Sequence, residues 1–567
     1  MLRHVYDYIK TNRWLLLLIV PGFLLQMLVM MPSGTTFCLA GKCGMHFWGV
    51  NSHDGMWHLE IAAVAFKQLP FIVPSYTGAI LSGYNILLDF ILYLLSLIGI
   101  PPVLTLFKIL PVVWFVFYTT MLISLGRSIH NSPRFVAFLL FFGYFGGHLG
   151  YFLQLYYEQS IFLGQQSFAL QSSNMLLNTQ FALSLPFMLY ILYAIKEKLF
   201  KTKHVLFVAL CLFFIMGLKF YGGAVASLLV FFYVLEQWFA KKNLKVFFTQ
   251  GLLFLGVLVL AVLVFYNPFA AAQAGSVFSL SPFATVHATI EERDMIYLPN
   301  MVNARYFLYA QGWSPKLLFI ELFSTAIYVV LHFGTRIIGF LYVVEAIIRR
   351  KLDRFNLYVT LSAIFATALT VLLVQRGDWW NTVQFSYYGI FLMNLLAAQA
   401  FYSWTSRKHV LGYAAVAVVI LLTIPANLQT IKTFTDKNTL FISQAEFEAM
   451  VLLREQPDGI IFNSFGYDKE KGSNFLTYEY TGYVAAFAKK QLYLGHLGPL
   501  KIIGVDTTDR LAKVIAYDCS VFADVDYIYY VKRHDITYFE MCNAELIPFK
   551  QFFENDEVKL YKKVTQR

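Results

Sequence analysis

The sequence predicts a polytopic α-helical membrane protein with a small α/β domain at its C-terminal end. Of its 567 residues, 58% are hydrophobic and only 14% are charged, whereas soluble proteins carry about 25% charged residues. Apolar runs long enough to cross a bilayer recur up to about residue 426. These runs do not alternate polar with apolar residues, which argues against membrane strands. Charged residues become frequent only after that point.

The apolar runs predict about eleven membrane-spanning helices. The run at 317–348 is long enough to be tilted or to begin as an outer helix. The expected spans are residues 14–31, 103–125, 135–157, 175–194, 205–218, 222–239, 246–266, 317–348, 357–374, 383–404 and 410–425.

The basic residues between these runs predict the orientation in the membrane. If alternate loops face the cytoplasm, eighteen Lys and Arg residues lie inside and eight lie outside, before the C-terminal tail. This is the bias of the positive-inside rule. It predicts a multi-pass protein of the inner or plasma membrane with its N-terminus in the cytoplasm and its C-terminal domain outside. The net charge of +11 follows from the same bias and does not indicate a nucleic-acid partner.

Two domains are expected, a transmembrane domain at 1–426 and a soluble extracytoplasmic α/β domain at 427–567. The transmembrane domain has a first outer loop at 32–102, in which two interfacial helices are expected, at 52–69 and 84–98. A second outer loop at 267–315 is long, and loops of this length often serve as lids or binding segments. We therefore expect substrate gating there, with Arg305 as a contact.

The tail is large enough to hold a core of its own. Its pattern predicts helices at 441–455, 478–489 and 508–517 and strands at 459–463, 491–494, 527–531 and 558–562. We expect this domain to cover the active cavity or to dock the acceptor.

The cysteines fall into two outer pairs and one single residue. Cys38 and Cys43 share the first outer loop, Cys519 and Cys542 share the tail, and Cys211 lies in an apolar run. An oxidising exterior favours the disulfides Cys38–Cys43 and Cys519–Cys542. The alternative for the first pair is half of a zinc site, and the spacing does not decide between the two.

A polar stretch, NSHDGMWHLE at 51–60, follows the first span. On a helix its titratable residues and its tryptophan share one broad face: His53, Asp54, Trp57, His58 and Glu60. Asp54 and His58 are four residues apart and close enough to bond. One interpretation is that Ser52 or Asp54 caps the helix and the histidines line an interface. The other is that Asp54 is a general base that takes a proton from an acceptor hydroxyl.

This layout resembles the GT-C superfamily of integral-membrane glycosyltransferases. The shared features are an acidic residue in the first outer loop, two interfacial helices, many spans and an outer C-terminal domain. The segment SHDGMWH at 52–58, with Tyr84-Asn85 and Pro101, resembles uncharacterised bacterial members with an HDG–WH loop. The tail segments 478–487 and 553–561 are similar to the tails of those members.

The resemblance implies an inverting transferase that moves a sugar from a polyprenyl-phosphate-linked donor to an extracytoplasmic lipid, glycan or protein. It maps the loop aspartate of the family onto Asp54 as the base, and the acidic residue after the third span onto Glu158. His53 and His58 complete the expected catalytic set. The loop lacks a clean Asp-x-Asp pair. A divalent ion (Mn²⁺, Mg²⁺ or Zn²⁺) held by His53, Asp54, His58 and Glu158 is therefore an alternative that stays open.

A phosphate-linked donor also requires cations on the outer side. Lys219 and Arg376 are rare outer cations and are the candidates. Other residues expected to contact substrate are Trp57, Glu60, Asp378, Trp379, Asn381 and Gln384. The alternative is that Lys219 and Arg376 anchor the ends of spans and that Trp379 and Trp380 belong to an aromatic belt.

Two other functions compete with the transferase. A transporter or flippase of lipid-linked saccharides is expected to show internal repeats, and we find none in the sequence. A non-catalytic envelope assembly protein would use the tail to bind partners. The sequence contains no Walker A, GxSxG or HExxH motif, so it gives no support to ATP-driven, serine-hydrolase or zinc-protease chemistry.

Overall fold

The structure is a computed structural model of the chain. It describes residues 2–39, 41–162, 169–273, 277–292, 295–376, 379–407, 410–436, 440–463, 466–468, 473–475, 481–532, 537–545 and 549–564. The chain divides into two compact units, and each is described by itself. The first, called the helical unit, contains Met1–Val29, Pro111–Val264 and Ser276–Thr435. The second, called the mixed unit, contains Met30–Leu110, Phe265–Gly275 and Asp436–Arg567.

Long apolar helices dominate the chain. Within the described ranges, eight helices are long and apolar enough to cross a membrane, and each coincides with an expected span. They are Arg13–Met30, Pro102–Ile129, Thr179–Lys196, Phe220–Lys241, Leu244–Tyr266, Pro315–Ile348, Arg354–Leu372 and Val410–Thr435. The expected polytopic helical class is confirmed, whereas the number of eleven spans stays a prediction.

The other three expected spans are helical but differ from the prediction. The run at 205–218 forms the helix Thr202–Leu218, and the run at 383–404 forms Val383–Ser406. The run at 135–157 is divided into Pro133–Phe145 and Tyr151–Glu158. The break contains Gly147, where an added Cβ would lie 2.6 Å from the Cβ of Ala426. The missing side chain therefore allows a close approach at the point where the helix stops.

The helix Val383–Ser406 lies at the centre of the helical unit, and most of its side chains are buried. Its neighbours are the helices Pro133–Phe145, Ile338–Ile348 and Arg354–Leu372. At Gly389 an added Cβ would lie 3.2 Å from the carbonyl oxygen of Ala363, so glycine lets two helices pack closely. Because protein covers this helix, it accommodates polar groups such as Gln399, whose Oε1 lies 2.8 Å from His130 Nε2.

The remaining elements of the helical unit are the helices of the run at 317–348 and several short segments. The long run at 317–348 consists of two helices, Pro315–Phe333 and Ile338–Ile348, joined by the 3₁₀ turn Gly334–Ile337. The other helices are Leu2–Thr11, Ala284–Glu291 and Pro299–Ala310, with 3₁₀ turns at Arg13–Leu15 and Ser172–Leu177. The strands Phe278–Leu280 and Leu373–Gln375 form an antiparallel pair.

In the mixed unit, the first outer loop and the tail share one sheet. The hairpin of Thr35–Leu39 and Lys42–Phe47 is extended by Leu440–Ser443 from the tail, and all strands are antiparallel. The tail is therefore not a separate body, and it forms one compact unit with residues 30–110. The expected boundary at 427 also falls inside the helix Val410–Thr435, because Pro425 is accommodated within that helix instead of ending it.

A second sheet of four strands lies in the tail. Its order is Phe549–Glu554, Val558–Lys563, Tyr527–Val531 and Ile461–Asn463, and only the last two pair in parallel. The strands Gly466–Asp468 and Ser473–Phe475 form a separate antiparallel pair. The helices of the mixed unit are Asp54–Val64, Leu87–Leu97, Pro102–Leu104, Pro268–Gln273, Gln444–Glu455, Gly482–Ala488, Leu497–Ile503, Thr508–Ile515 and Thr537–Glu545. Its 3₁₀ turns are Gly49–Ser52, Ala65–Lys67 and Cys519–Asp524, and Thr105–Ile109 is a π-helical turn.

Two tail elements differ from the prediction. The expected helix at 441–455 begins only at Gln444, because Ser443 ends a strand and caps the helix in a capping box with Glu446. The expected strand at 491–494 is reduced to a single bridge between Leu492 and Ile461. Part of the expected helix at 478–489 lies outside the described residues, and the described part forms Gly482–Ala488.

Both expected disulfides are present, Cys38–Cys43 and Cys519–Cys542, and Cys211 is a buried free thiol. We predict that the denatured, unreduced protein carries one reactive thiol, at Cys211, and that reduction raises the number to five. Maleimide mass tagging followed by peptide mapping measures this number. The Cys211→Ala variant is the control and should show no tag before reduction. A tag on Cys519 or Cys542 in unreduced protein would contradict the prediction.

Candidate functional site

The helix Asp54–Val64, called the site helix, carries the polar stretch that the sequence analysis singled out. Its N-cap is His53, whose side chain makes no capping bond, and Ser52 Oγ donates instead to the carbonyl oxygen of Gly49. Neither Ser52 nor Asp54 is therefore the cap of this helix. Asp54 lies in the first turn, where the partial positive charge of a helix N-terminus stabilises an ionised carboxylate.

The site helix is buried on nearly all sides, and this corrects the expectation of an amphipathic interfacial helix. Its second face, with Met56 and Leu59, is as buried as the face that carries Trp57. The covering helices are Leu87–Leu97 and Gly482–Ala488, within the mixed unit. The tail helix Gly482–Ala488 lies against the side of the site helix that carries Glu60.

Among the described residues of the mixed unit, three histidines are paired with carboxylates. They are His53 Nδ1 with Asp54 Oδ1 at 2.9 Å, His58 Nδ1 with Asp89 Oδ1 at 2.7 Å, and His496 Nδ1 with Glu60 Oε1 at 2.8 Å. Only the first pair reaches solvent, with 46% of the Asp54 side chain exposed. The other two pairs are almost wholly buried.

Glu60 is a fully buried acid of the site, as is Asp89. Oε1 accepts from His496 and Oε2 accepts from Ser75 Oγ at 2.6 Å, and the side chains of Glu60 and His496 are both 0% exposed. A buried carboxylate requires donors of this kind, because its desolvation is otherwise very costly. The placement corrects the expectation that Glu60 contacts substrate, since none of its surface is open.

Aromatic contacts join the three pairs into one cluster. The ring of His496 meets His53 edge to face at 4.8 Å and meets Trp57 in the same way at 5.8 Å, measured between centroids. Trp57 meets Tyr84 at 5.7 Å, and Tyr84 lies 6.5 Å from His58. Trp57 is itself buried, so its role here is to pack the cluster and not to offer an open surface for a sugar.

A second group of expected residues lies in the helical unit, where Lys219 and Arg376 are on adjoining segments. The Tyr221 hydroxyl donates to the side-chain oxygen of Gln375, next to Arg376. Phe278 stands opposite Gln375 in the strand pair and also contacts the ring of Tyr221. The structure thus brings together the segments that carry the two cations, about 155 residues apart in sequence.

Lys219 is only 5% exposed and stands between two helices, with its Nζ 5.9 Å from the ring centroid of Tyr221. A snorkelling lysine keeps its ammonium in water, so burial does not support the anchor interpretation. Arg376 adopts a positive φ of 48° and its backbone N–H donates to Val277. Burial lowers the pKa of the Arg376 guanidinium from its ordinary value, which still leaves it cationic at neutral pH.

The described residues 379–384 range from buried to exposed. Trp379 and Trp380 stack on each other at 4.5 Å, and Trp380 is exposed. Asn381 is buried and Gln384 is partly buried. Asp378 lies outside the described residues. A stacked, exposed pair of indoles is a surface that can pack on the apolar face of a sugar or lie in the membrane interface.

Glu158 is exposed, whereas Arg305 is buried and paired with a carboxylate. Glu158 is the exposed last residue of the helix Tyr151–Glu158. Arg305 is buried, pairs with Glu291 and packs over the ring of Tyr306 at 4.5 Å. These contacts connect two helices of the long outer loop, so they give Arg305 a structural role in place of the expected substrate contact.

The residues do not fit the divalent metal left open by the sequence. Within the described residues, no three His, Cys, Asp or Glu side chains are grouped so as to hold an ion. His53 bonds Asp54, whereas His58 bonds Asp89. Each imidazole is thus paired with its own carboxylate, and no step that uses a metal follows from this arrangement.

Sequence reasoning did not assign three members of the cluster, Ser75, Asp89 and His496. Asp89 is a single acid in the apolar helix Leu87–Leu97, and an isolated buried charge of this kind is a usable signal. His496 carries a weaker signal, since it lies in a tail segment without a recognisable motif. Its pairing with Glu60 spans 436 positions.

Known proteins provide likenesses of fold, whereas no protein-family profile and no curated protein matches the chain. The archaeal oligosaccharyltransferase AglB from Archaeoglobus fulgidus, solved with an inhibitory peptide and a dolichol-phosphate, is 11% identical, with a TM-score of 0.49 over 92% of this chain and 70% of that one. ArnT from Cupriavidus metallidurans is 9% identical, with a TM-score of 0.48 over 98% of both chains. The arabinofuranosyltransferase AftD from Mycobacteria is 11% identical, with a TM-score of 0.48 over 98% of this chain and 40% of that one. These likenesses are weak, and each of the three TM-scores is below 0.5.

The close packing around Glu60 yields a prediction for Gly482. An added Cβ would lie 2.6 Å from His496 Nδ1 and 3.1 Å from the carboxyl carbon of Glu60. Gly482→Ala should therefore push the imidazole off the buried carboxylate and lower the free energy of unfolding by about 1–3 kcal/mol. Thermal unfolding in detergent measures the loss.

Gly251→Ala is the matched control, because nothing lies within 4 Å of a Cβ at that helical position. Alanine there should leave the midpoint unchanged or raise it slightly, since alanine favours helix over glycine. Equal midpoints for Gly482→Ala and the wild type would contradict the close contact.

Proposed function

We propose that the protein is an inverting membrane glycosyltransferase. In this proposal a sugar passes from a polyprenyl-phosphate-linked donor to a hydroxyl or amide of an extracytoplasmic acceptor. The observation that carries the proposal is the Asp54 carboxylate, which is half exposed, stands at a helix N-terminus and is paired with His53. A general base needs an accessible carboxylate within reach of an attacking group, and the Asp54 side chain is accessible.

In the proposed reaction, Asp54 takes the proton of the acceptor as the acceptor atom bonds to the anomeric carbon. The bond from that carbon to the phosphate oxygen breaks in the same step, and the polyprenyl phosphate leaves with the electron pair. A single displacement from the opposite face inverts the anomeric configuration. His53 orients the carboxylate through the bond between Nδ1 and Oδ1.

Lys219 and Arg376 are proposed to hold the phosphate of the donor. Cations that face a leaving phosphate stabilise the charge that develops on it, often the largest single contribution to catalysis. Support comes from the joining of their two segments by Tyr221 and Gln375 and from the burial of Lys219. A lysine ammonium is a compact cation of the kind that binds phosphate.

We further propose that the protein lies in the cell membrane with its N-terminus in the cytoplasm and the mixed unit outside, as the bias of basic residues predicts. A lipid, a glycan and a protein remain the acceptor classes for the experiment to separate.

The function is tested by comparing envelope glycans, glycolipids and glycoproteins from cells with and without the chain, by mass spectrometry. If the protein is a glycosyltransferase, cells without it should contain a product that is one sugar smaller. The purified protein in nanodiscs should add the missing sugar from a polyprenyl-phosphate sugar. Movement of the lipid-linked donor across vesicles without any transfer product would replace the proposal with a flippase.

The role of Asp54 is tested by Asp54→Asn. The amide has nearly the same shape but cannot take a proton, so kcat should fall about 10²–10⁴-fold, with donor binding and thermal midpoint nearly unchanged. Asp509→Asn, an exposed acid in the same unit, is the matched control and should keep full turnover. Unchanged turnover in Asp54→Asn would remove Asp54 as the base.

The phosphate contacts are tested by Lys219→Ala and Arg376→Lys. Arg376→Lys keeps the charge but loses the planar fork that binds two phosphate oxygens, so kcat/KM for the donor should fall about tenfold or more. Lys219→Ala should weaken binding of the donor, measured with a non-transferable analogue. Lys316→Ala, an exposed cation of the same predicted side, is the control. Equal losses in all three variants would show that general charge, and not these positions, matters.

A further inference from the structure

The buried pair of Glu60 and His496 lies directly behind the exposed pair of His53 and Asp54. Nδ1 of His496 is bonded to Glu60 at 2.8 Å, and both side chains are inaccessible. His496 also holds an unusual backbone conformation, with φ 47° and ψ 55°, while its backbone N–H donates to Thr481 Oγ1 at 3.1 Å. Non-glycine residues in this region are uncommon, so both the backbone and the ring of His496 are held in place.

The ring of His496 is in contact with His53, the residue whose Nδ1 is bonded to Asp54. Their centroids are 4.8 Å apart, and the rings are nearly perpendicular. In addition, His53 Nε2 lies 3.5 Å from the position that a Cβ of Gly498 would occupy. Residues 496–498 thus form a wall against which the His53 ring rests.

His53 is more exposed than His496. Its side chain is 33% exposed, and a histidine on the surface of a helix start ordinarily samples several rotamers. Here one face is packed against a ring that a buried hydrogen bond holds still. Because Nδ1 of His53 is bonded to Asp54 Oδ1 at 2.9 Å, fixing the imidazole also fixes the carboxylate.

We propose that His496 is a positioning residue of the site: held by Glu60, it packs against His53 and through His53 sets the orientation of the Asp54 carboxylate. This inference rests on the proposed function where it concerns catalysis, and on the contacts alone where it concerns the placement of His53. His496 has no exposed surface and does not touch substrate. A misplacement of about 1 Å at a catalytic group can reduce rates about a hundredfold, so a residue of this kind influences turnover without any chemistry of its own.

The test is a double-mutant cycle on His496→Gln and His53→Ala. Glutamine can still donate to Glu60, so the variant keeps the buried bond but lacks the ring that packs on His53. His496→Gln should lower kcat about 10- to 100-fold with the donor KM unchanged. Because His496 acts through His53, the double variant should be no slower than His53→Ala alone. Additive losses would overturn the proposal.

A readout that does not depend on transfer separates this inference from the proposed function. Carbethoxylation of His53 by diethyl pyrocarbonate, followed by mass spectrometry, should be severalfold faster in His496→Gln than in the wild type. His46→Gln is the matched control, since His46 is a buried histidine of the same unit that stacks on Phe37 away from the cluster; there the His53 rate should not change.

The proposed function and the positioning role of His496 can therefore fail independently of each other. A wild-type protein without transfer activity overturns the proposed function, and the labelling of His53 still decides the placement. Equal labelling of His53 in His496→Gln and the wild type, with thermal midpoints that show both are folded, overturns the positioning role even if transfer is found.

Discussion

The mixed unit depends on one buried hydrogen bond, between the carboxylate of Glu60 and the imidazole of His496. An ionised carboxylate without access to water is tolerated only when donors replace its lost hydration. Here the donors are His496 and Ser75. The first comes from the tail and the second from the loop after the site helix. The first outer loop and the tail must therefore fold together, which explains why they form one compact unit and share a sheet.

The need of a buried carboxylate for hydrogen-bond donors accounts for the difference in exposure among the three histidine–carboxylate pairs. The two buried pairs have no open surface, and they surround an outer pair whose carboxylate is half exposed. A rigid, buried support beneath an open functional group is the arrangement by which proteins hold reactive groups in one geometry. Asp54 also lies at the N-terminus of the site helix, where the partial positive charge stabilises its ionised form. Its orientation is set by residues outside that helix.

The helical unit holds two cations, Lys219 and Arg376, in a largely apolar environment. Lys219 and Arg376 come from segments far apart in sequence, and the bond between Tyr221 and Gln375 joins those segments. Lys219 is nearly buried at its position between two helices. A phosphate group on a lipid is a ligand whose apolar part can stay in the bilayer while its charge meets such cations.

The sequence by itself determined the properties that depend on local composition. The eight long apolar helices were predictable, because the length and hydrophobicity of a run are read within the run. Asp54 was identified in the same way, from the crowding of polar residues just after a span. The break in the third expected span was not predictable from hydropathy, because it arises where Gly147 approaches Ala426, far along the chain.

Only the tertiary structure decided how the site is built. The helical pattern placed Glu60 on the same face as Asp54 and suggested that both meet substrate, but a pattern does not contain the tail that covers that face. His496 and Asp89 became members of the site through contacts that span 436 and 31 positions. Burial is a property of the whole fold, and it separates two acids of one helix: the Asp54 side chain stays about half exposed, and Glu60 is enclosed.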